Sequence, residues 1–267
     1  MITDNICPIC SAKMNEVFTA KVLSKHEAIY ESCADCGLLQ VANPFWLQEA
    51  YANPINLSDT GIVMRNFLIA SKLSNLLHFA LRYRKTQKFV DIAGGYGLLT
   101  RLMRDFGFDF YWADKFCQNF VSKGFEYNIS IGQCSAITAI EVLEHVADPV
   151  AFVMESIRAY QADTFIFTTE LFEGPPPEPQ AWWYYSFETG QHISFFQKRT
   201  LEWMAKKLNL NFITCNGLHI FSKNRINPVL FYLLTLKIAT VTLPWIIRGI
   251  RGSKTMPDHY LMLSKKD

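Results

Sequence analysis

The run Phe89-Val90-Asp91-Ile92-Ala93-Gly94-Gly95-Tyr96-Gly97 constrains this chain more than any other. An apolar stretch enters a glycine cluster, and a helix-like segment, Leu98 to Arg104, leaves it. That is the layout of a strand, a tight turn and a helix. Glycines let a backbone approach a ligand with no Cβ in the way. Asp114 stands 23 positions beyond Asp91, closing a second apolar run, Phe108 to Ala113. A carboxylate there can accept hydrogen bonds from both hydroxyls of a ribose, so the pattern predicts a nucleoside-binding α/β domain. Glycines after a strand often only make a turn, and the rest of the chain has to decide.

The run lacks G-x-G-x-x-G, which argues against a dinucleotide. It is nearer D-x-G-x-G-x-G, with Ala93 where the first glycine would stand and an additional Gly94. With this spacing the chain resembles class I S-adenosylmethionine (SAM) methyltransferases. The resemblance implies an α/β fold, a Rossmann-like sheet with helices on both faces. It also implies SAM as cofactor, with Asp91, Ala93, Gly95 and Gly97 around its methionine and ribose and Asp114 at the ribose diol.

A chain of 267 residues can bury a full-sized core. Half its residues are hydrophobic and 14% aromatic, which excludes a disordered chain. A net charge of +2 does not point to nucleic acid. The amino terminus has neither a basic start nor an apolar run, so no signal peptide is expected. Cysteine is odd in number, seven, and four of the seven fall in two pairs. A reducing, cytoplasmic location with a metal site fits this better than a disulfide framework.

The pairs are Cys7-Pro8-Ile9-Cys10 and Cys33-Ala34-Asp35-Cys36-Gly37, separated by 22 residues. Each C-x-x-C turn can aim two thiolates at one ion, and two turns complete a tetrahedron. Two strand-like runs between them, Glu16 to Leu23 and Glu27 to Glu31, are joined by Ser24-Lys25-His26. The segment reads as a zinc ribbon over residues 1–45, with a structural zinc on Cys7, Cys10, Cys33 and Cys36. A redox C-x-x-C is the alternative; it explains neither the second pair nor the hairpin. The ribbon is expected to cover the substrate side of the larger domain.

That larger domain is expected over 55–267, after a linker at 53–59. A helix is predicted over Gly61 to Arg84, where apolar residues recur at helical spacing. Strands are then expected at 87–92, 108–113, 125–129 (a poor one), 136–142, 164–169 and 211–220, and a last one at 259–264. Helices are expected at 98–106, 149–160 and 198–208. This alternation implies a mostly parallel sheet covered on both faces.

Glu141-Val142-Leu143-Glu144-His145 looks like the E-V-L-E-H segment after strand four of many methyltransferases, including ubiquinone-pathway O-methyltransferases. In that family residues here flank the methionine of the cofactor or the substrate, which makes Glu141 a cofactor candidate and His145 a catalytic one. The plain alternative is that Glu144 and His145 only start the next helix. Thr169 to Pro177, Trp182-Trp183-Tyr184-Tyr185 and Glu188 to Phe196 follow. Together these are similar to methyltransferases encoded among surface-polysaccharide and sugar-modification enzymes, and distantly to zinc-bearing C-methyltransferases of deoxysugars. The latter carry a Glu-His pair where this chain has Gln191-His192. The likeness spans residues 5 to 222. It implies methyl transfer to oxygen or carbon of a small-molecule acceptor, a nucleotide- or lipid-linked sugar.

His192 is the candidate general base, since an imidazole titrates near neutral pH; the plain alternative is that it caps or packs under the loop. At most two of the four aromatics at 182–185 are expected to stack on an acceptor. A quinone or polyprenyl-type acceptor is the rival within the enzyme class. A non-catalytic SAM-binding or zinc-ribbon interaction protein is the rival outside it.

Residues 222–257 read as a basic and apolar insert between the last two strands. Lys223, Arg225, Lys237, Arg248, Arg251 and Lys254 punctuate it, and no acidic residue occurs there. A single membrane crossing is rejected because 259–264 must return to the sheet. One or two interfacial helices in peripheral contact with the inner face of the membrane are expected instead. A hydrophobic cap or dimer contact is the alternative. Oligomeric state is left open.

Overall fold

The computed structural model describes residues 5–56 and 59–265. Positions 57–58 of the expected linker and the first four residues of the expected ribbon lie outside that range. The chain begins with β1 (Met14–Val22), β2 (His26–Cys33), β3 (Leu39–Val41) and the short α1 (Leu47–Ala50). Helix α2 (Ile62–Asn75) follows, extended by a π-helical turn at Leu76–Ala80. The alternating part then runs β4 (Lys88–Ile92), α3 (Leu98–Asp105), β5 (Asp109–Ala113), β6 (Ala136–Ile140), α4 (Pro149–Tyr160) and β7 (Thr164–Thr168). It ends with β8 (Ser194–Phe195), α5 (Lys198–Leu208), β9 (Asn211–Cys215) and β10 (Leu218–Ser222). Three helices close the chain: α6 (Pro228–Thr235), α7 (Lys237–Arg251) and α8 (Thr255–Ser264).

The main sheet has the order β5-β4-β6-β7-β10-β9. The first four strands are parallel, and β10 runs antiparallel to both its neighbours. Successive residues of each strand point to opposite faces. Phe89, Ile166 and Ile220 therefore pack under α2, α3, α6 and α7, while Val90, Phe165 and Phe221 pack under α4 and α5. Both faces are dry, as a parallel sheet requires.

Four expectations are corrected here. The single strand expected at 211–220 is a hairpin. Asn216 and Gly217 have φ of +51° and +73°, the two left-handed residues of a tight two-residue turn, and reverse the chain at that point. The last strand expected at 259–264 is helix α8, tied down by Asp258, whose carboxylate receives Arg104 Nε and a guanidinium nitrogen at 2.8 and 2.7 Å. Residues 223–265 therefore follow a completed sheet and interrupt nothing, so the topological objection to a membrane segment falls. The poor strand at 125–129 is reduced to one bridge between Trp112 and Glu126. Asn128 ends it by capping a 3-10 turn at Ile129–Ile131.

The amino-terminal sheet has the order β1-β2-β3-β8, so a strand from beyond β7 completes it. Leu39 pairs with Phe195 and Gln40 with Ser194. Thr200 Oγ1 on α5 donates to the carbonyl of Cys36 at 2.8 Å, and Lys207 donates to the carbonyls of Pro8 and Ile9 at 3.0 Å. The cysteine end of the ribbon thus rests on α5, and its sheet edge on the loops above β7.

Candidate active site

The carboxyl ends of β4, β6 and β7 bring together the loops from which the site is built. After β4, Ala93, Gly95 and Gly97 all take left-handed φ, at +52°, +53° and +87°. A side chain is excluded at two points of this turn. A Cβ on Gly94 would stand 2.8 Å from Asp91 Oδ2, and one on Gly97 would stand 2.3 Å from Ser122 Oγ. At Gly95 the nearest atom to such a Cβ is Ile55 Cδ1, at 3.5 Å, an ordinary contact, so that point of the turn has room for a further atom. That is the cradle a nucleoside cofactor needs, and the residues present fit SAM.

Asp91 is 2% exposed at the end of β4 and accepts from Thr138 Oγ1 at 2.7 Å. Burial, only partly offset by that bond, pushes its pKa up to about 7. Asp114, just past β5, is engaged by backbone. Its Oδ2 accepts from the Gly95 N–H at 2.9 Å, and its Oδ1 accepts from Phe116 and Cys117 at 2.7 and 2.8 Å. The carboxylate thereby locks the β5 loop to the glycine turn and stands at its rim. Glu141, at φ +53°, follows β6 and accepts from Thr168 Oγ1 at 2.5 Å. Burial raises its pKa.

Next to it lies a cluster that the sequence named only in part. Leu143–His145 forms a 3-10 turn, and α4 starts four residues later with Asp148 as its cap, so Glu144 and His145 do not start the helix. His145 Nδ1 lies 3.1 Å from the carbonyl of Gln191, and His192 Nδ1 lies 2.6 Å from the carbonyl of Tyr184. A carbonyl only accepts, so in the neutral ring each Nδ1 carries the proton and each Nε2 keeps a free lone pair. The rings meet edge to face with centroids 4.8 Å apart. Burial lowers the pKa of His145 to about 3, with a further push from His192, and that of His192 to about 4. Both imidazoles are neutral near pH 7.

Glu144 completes the cluster. It is fully buried, and neither carboxylate oxygen makes a hydrogen bond of normal geometry. The hydroxyls of Tyr184 and Thr169 lie near enough to favour its charged form, but burial and the Glu141 charge outweigh them and hold its pKa well above the usual range. One ligating atom from each of Glu144, His145 and His192 lies within 4.8 Å of the others. A buried carboxyl with a raised pKa beside two imidazoles is suited to a shared proton or a cation. Glu144 stood in the quoted motif, but nothing in its spacing signals that its oxygens are unpaired.

Other expected residues sit elsewhere. Gln191 is structural: its amide donates to the carbonyls of Ala50 and Asn53. Tyr184 and Tyr185 are core, and of the aromatic quartet Trp183 is the exposed member. Two contributors lacked any sequence signal. Arg65 of α2 donates to both carboxylate oxygens of Asp59 at 2.9 and 2.6 Å, and its charge bears on Glu141 and Glu144. Tyr51 places its ring 6.1 Å from that of His145.

In the ribbon the Sγ atoms of Cys7 and Cys36 lie 3.4 Å apart, those of Cys10 and Cys33 3.3 Å apart, and all four within 4.8 Å. These separations are far beyond a disulfide bond and close to the edge of a tetrahedron of thiolates around zinc. The cluster is compatible with a zinc ribbon.

No curated protein matches the chain. Similar solved structures include TnmH, at 14% identity and TM-score 0.44, over 67% of this chain and 61% of that one. They also include the mitomycin 7-O-methyltransferase MmcR, at 13% identity and TM-score 0.43, over 66% and 59%. An O-methyltransferase family 2 protein from Planctomyces limnophilus, solved with apigenin, gives 10% identity and TM-score 0.42 over 66% of each chain. The chain thus spans less than two thirds of these relatives. The family described as "Methyltransferase domain" matches residues 64–214, more than half of the chain and all of the parallel sheet, so the chain belongs to that family.

Proposed function

We propose that the enzyme methylates a hydroxyl of a small acceptor, a sugar carried on a lipid or nucleotide, and that His192 and His145 form its proton-accepting centre. The observation that carries this is the pair of Nε2 lone pairs, each fixed by a carbonyl on the opposite ring nitrogen. Bound SAM supplies an electrophilic methyl on its sulfonium. The chain has to hold an acceptor oxygen in line with that methyl and take its proton. Asp91, Ala93, Gly95, Gly97, Asp114 and Glu141 surround the cofactor cleft, and the two imidazoles stand beside Glu141 and Glu144. A neutral imidazole is ready to accept at pH 7 without first losing a proton. Gln191 is occupied by Ala50 and Asn53, so no Glu-His pair is assembled at 191–192, which favours oxygen over carbon as the acceptor atom. The cysteine cluster holds a structural zinc in this reading, with no position left open for water.

His192→Ala should lower turnover by about 10²- to 10⁴-fold while the thermal shift induced by SAM is retained. Full turnover in that variant removes the base. Failure to form S-adenosylhomocysteine with any acceptor, sugar or quinone, favours a non-catalytic SAM-binding protein. A polyprenyl or quinone acceptor remains the second reading, favoured by the exposed apolar helices at the carboxyl end.

A further inference from the structure

We propose that the outer face of α6 and α7 docks the enzyme on an anionic lipid bilayer, from which the acceptor is presented. The second part rests on the methyl-transfer reading; the first does not.

Helix α7 is amphipathic in the reverse sense. The side it turns to the protein carries Thr240, Pro244, Ile247 and Arg251. The side it exposes carries Ile238, Val241, Trp245, Ile246 and Ile250, between 53% and 70% exposed. A helix facing water keeps its polar residues outside. Here most of the outer positions are apolar over three turns, with Thr242 and Gly249 among them. Helix α6 continues it with exposed Val229, Tyr232 and Leu233.

The arrangement is held firmly and is no loose tail. Asn75 Nδ2 on α2 donates to the carbonyls of Leu234 and Ala239 at 2.9 and 3.1 Å. Arg251 donates to the carbonyls of Gly107, Tyr83 and Arg84. Arg251 of α7 and Asn75 of α2 therefore attach the helix to the domain, and a largely apolar side is left outward.

Charge selects the occupant. Arg225, Lys237 and Arg248 are exposed around the stripe, and no Asp or Glu occurs in residues 222–257. Arg248 lies 6.0 Å from the ring of Trp245, a cation and an aromatic together at the edge of an apolar face. A second copy of this chain in a two-fold contact would bring like charges together. Anionic headgroups would neutralise them. Among the described residues no single helix is long and apolar enough to cross a membrane, and α6 and α7 are bent by 86° at Leu236. The two helices together have the length and composition of a broken span, but Phe231, Leu234, Ile247 and Arg251 are buried on the domain, and the proposed contact is interfacial.

The surface also leads towards the site. Met64, Leu68 and Asn75 fall on one stripe of α2, being four and seven residues apart. Helices α6 and α7 cover the stripe at Asn75, while Met64 and Leu68 are exposed about 10–16 Å further along the helix axis. Met64 is adjacent to Arg65, whose charge bears on Glu141 and Glu144.

The test is flotation of the full-length, zinc-loaded protein with vesicles of phosphatidylcholine, with and without phosphatidylglycerol. The protein should float with the anionic vesicles and be released by high salt. Ile238→Glu combined with Ile246→Glu changes exposed positions and should lower the floated fraction at least about tenfold, with an unchanged SAM-induced thermal shift. A wild-type protein that stays at the bottom, or a variant that floats equally well, overturns the proposal. So does a variant that turns a dimer into a monomer without any flotation of the wild type, which would assign the face to a second copy. Flotation without a SAM shift defeats the methyl-transfer reading and leaves docking intact.

Discussion

The backbone N–H of Gly95 donates to Asp114 Oδ2 at 2.9 Å, so the glycine turn after β4 and the carboxylate after β5 form one unit. The same carboxylate also receives two N–H groups from its own loop. Asp114 therefore fixes the glycine turn against the β5 loop. Asp114→Ala should weaken SAM binding at least about tenfold, since a hydrogen bond to a charged acceptor is worth about 1.5–3 kcal/mol. Asp114→Asn, which keeps one acceptor oxygen, should fall between the two. Calorimetric titration checks both, and unchanged affinity in the alanine variant removes Asp114 from the site.

Gly97 starts α3 at φ +87°, and a Cβ there would meet Ser122 Oγ at 2.3 Å and Asn119 Oδ1 at 2.6 Å. Ser122 and Asn119 are buried and bonded to each other, so neither yields easily. Gly97→Ala should cost about 2–4 kcal/mol in urea unfolding, from backbone strain and overpacking together. Gly95→Ala shares the left-handed backbone but has room for its methyl, so it should cost less. Equal losses would show that packing against 119–122 plays no part.

How far the sequence revealed this can be judged from particular residues. The parallel strands and the helices at 98–106, 149–160 and 198–208 were legible, because the apolar period changes cleanly between two and 3.6. The four cysteines were legible because their spacing leaves few other uses. The Asn216-Gly217 pair between two strand-like stretches is a hairpin signal that the single strand expected at 211–220 passes over. Helix α8 was not legible, because the residue that fixes it, Asp258, has its partner Arg104 far away in sequence. The pairing of His145 with His192 depends on two carbonyls from a long loop, Tyr184 and Gln191, that no local pattern places.

Asp91 gives a third prediction. Its pKa is raised to about 7, mainly by burial, against an ordinary value near 3.9. A cation placed over the glycine turn would restore its charge. SAM binding at pH 6.5–7 should therefore release up to about one proton, seen as a dependence of the binding enthalpy on the ionisation enthalpy of the buffer. Asp91→Asn should abolish that dependence. No proton release in the wild type would place the cationic part of the cofactor away from Asp91.

The ribbon touches α5 through Cys36 and Thr200, so loss of metal should be felt in the larger domain. One zinc per chain is expected by atomic absorption. Chelation, or Cys36→Ser, should lower the melting midpoint by roughly 5 °C or more, since each kcal/mol shifts a chain of this size by about 2–4 °C. Added zinc should restore the chelated wild type and not the variant. A melting curve indifferent to chelator would mean that the thiols hold no structural ion.

The two buried imidazoles set the pH dependence, and their sign is fixed by burial. His145 and His192 have pKa values lowered to about 3 and about 4, while an unfolded histidine titrates near 6.5. Between pH 6.5 and 4 the unfolded chain takes up protons that the folded chain refuses. The stability these residues contribute is thus fully present above about pH 6.5 and lost as pH falls towards 4, by up to about 2.7 kcal/mol per pH unit for two protons. The raised carboxyls of Asp91 and Glu144 work oppositely, losing stability as pH rises, so the net slope will be smaller. The contribution of one imidazole is isolated by His192→Asn, which should flatten the acid side of a urea-midpoint curve measured from pH 4.5 to 7.5. Activity follows from the same shifts. A base that stays unprotonated down to about pH 4 leaves kcat/KM without an acid limb near neutrality. An acid limb with an apparent pKa of 6.5, lost in His192→Asn, would show that the imidazole is open to water when it works. The carbonyls of Tyr184 and Gln191 would then have lost their hold on the pair.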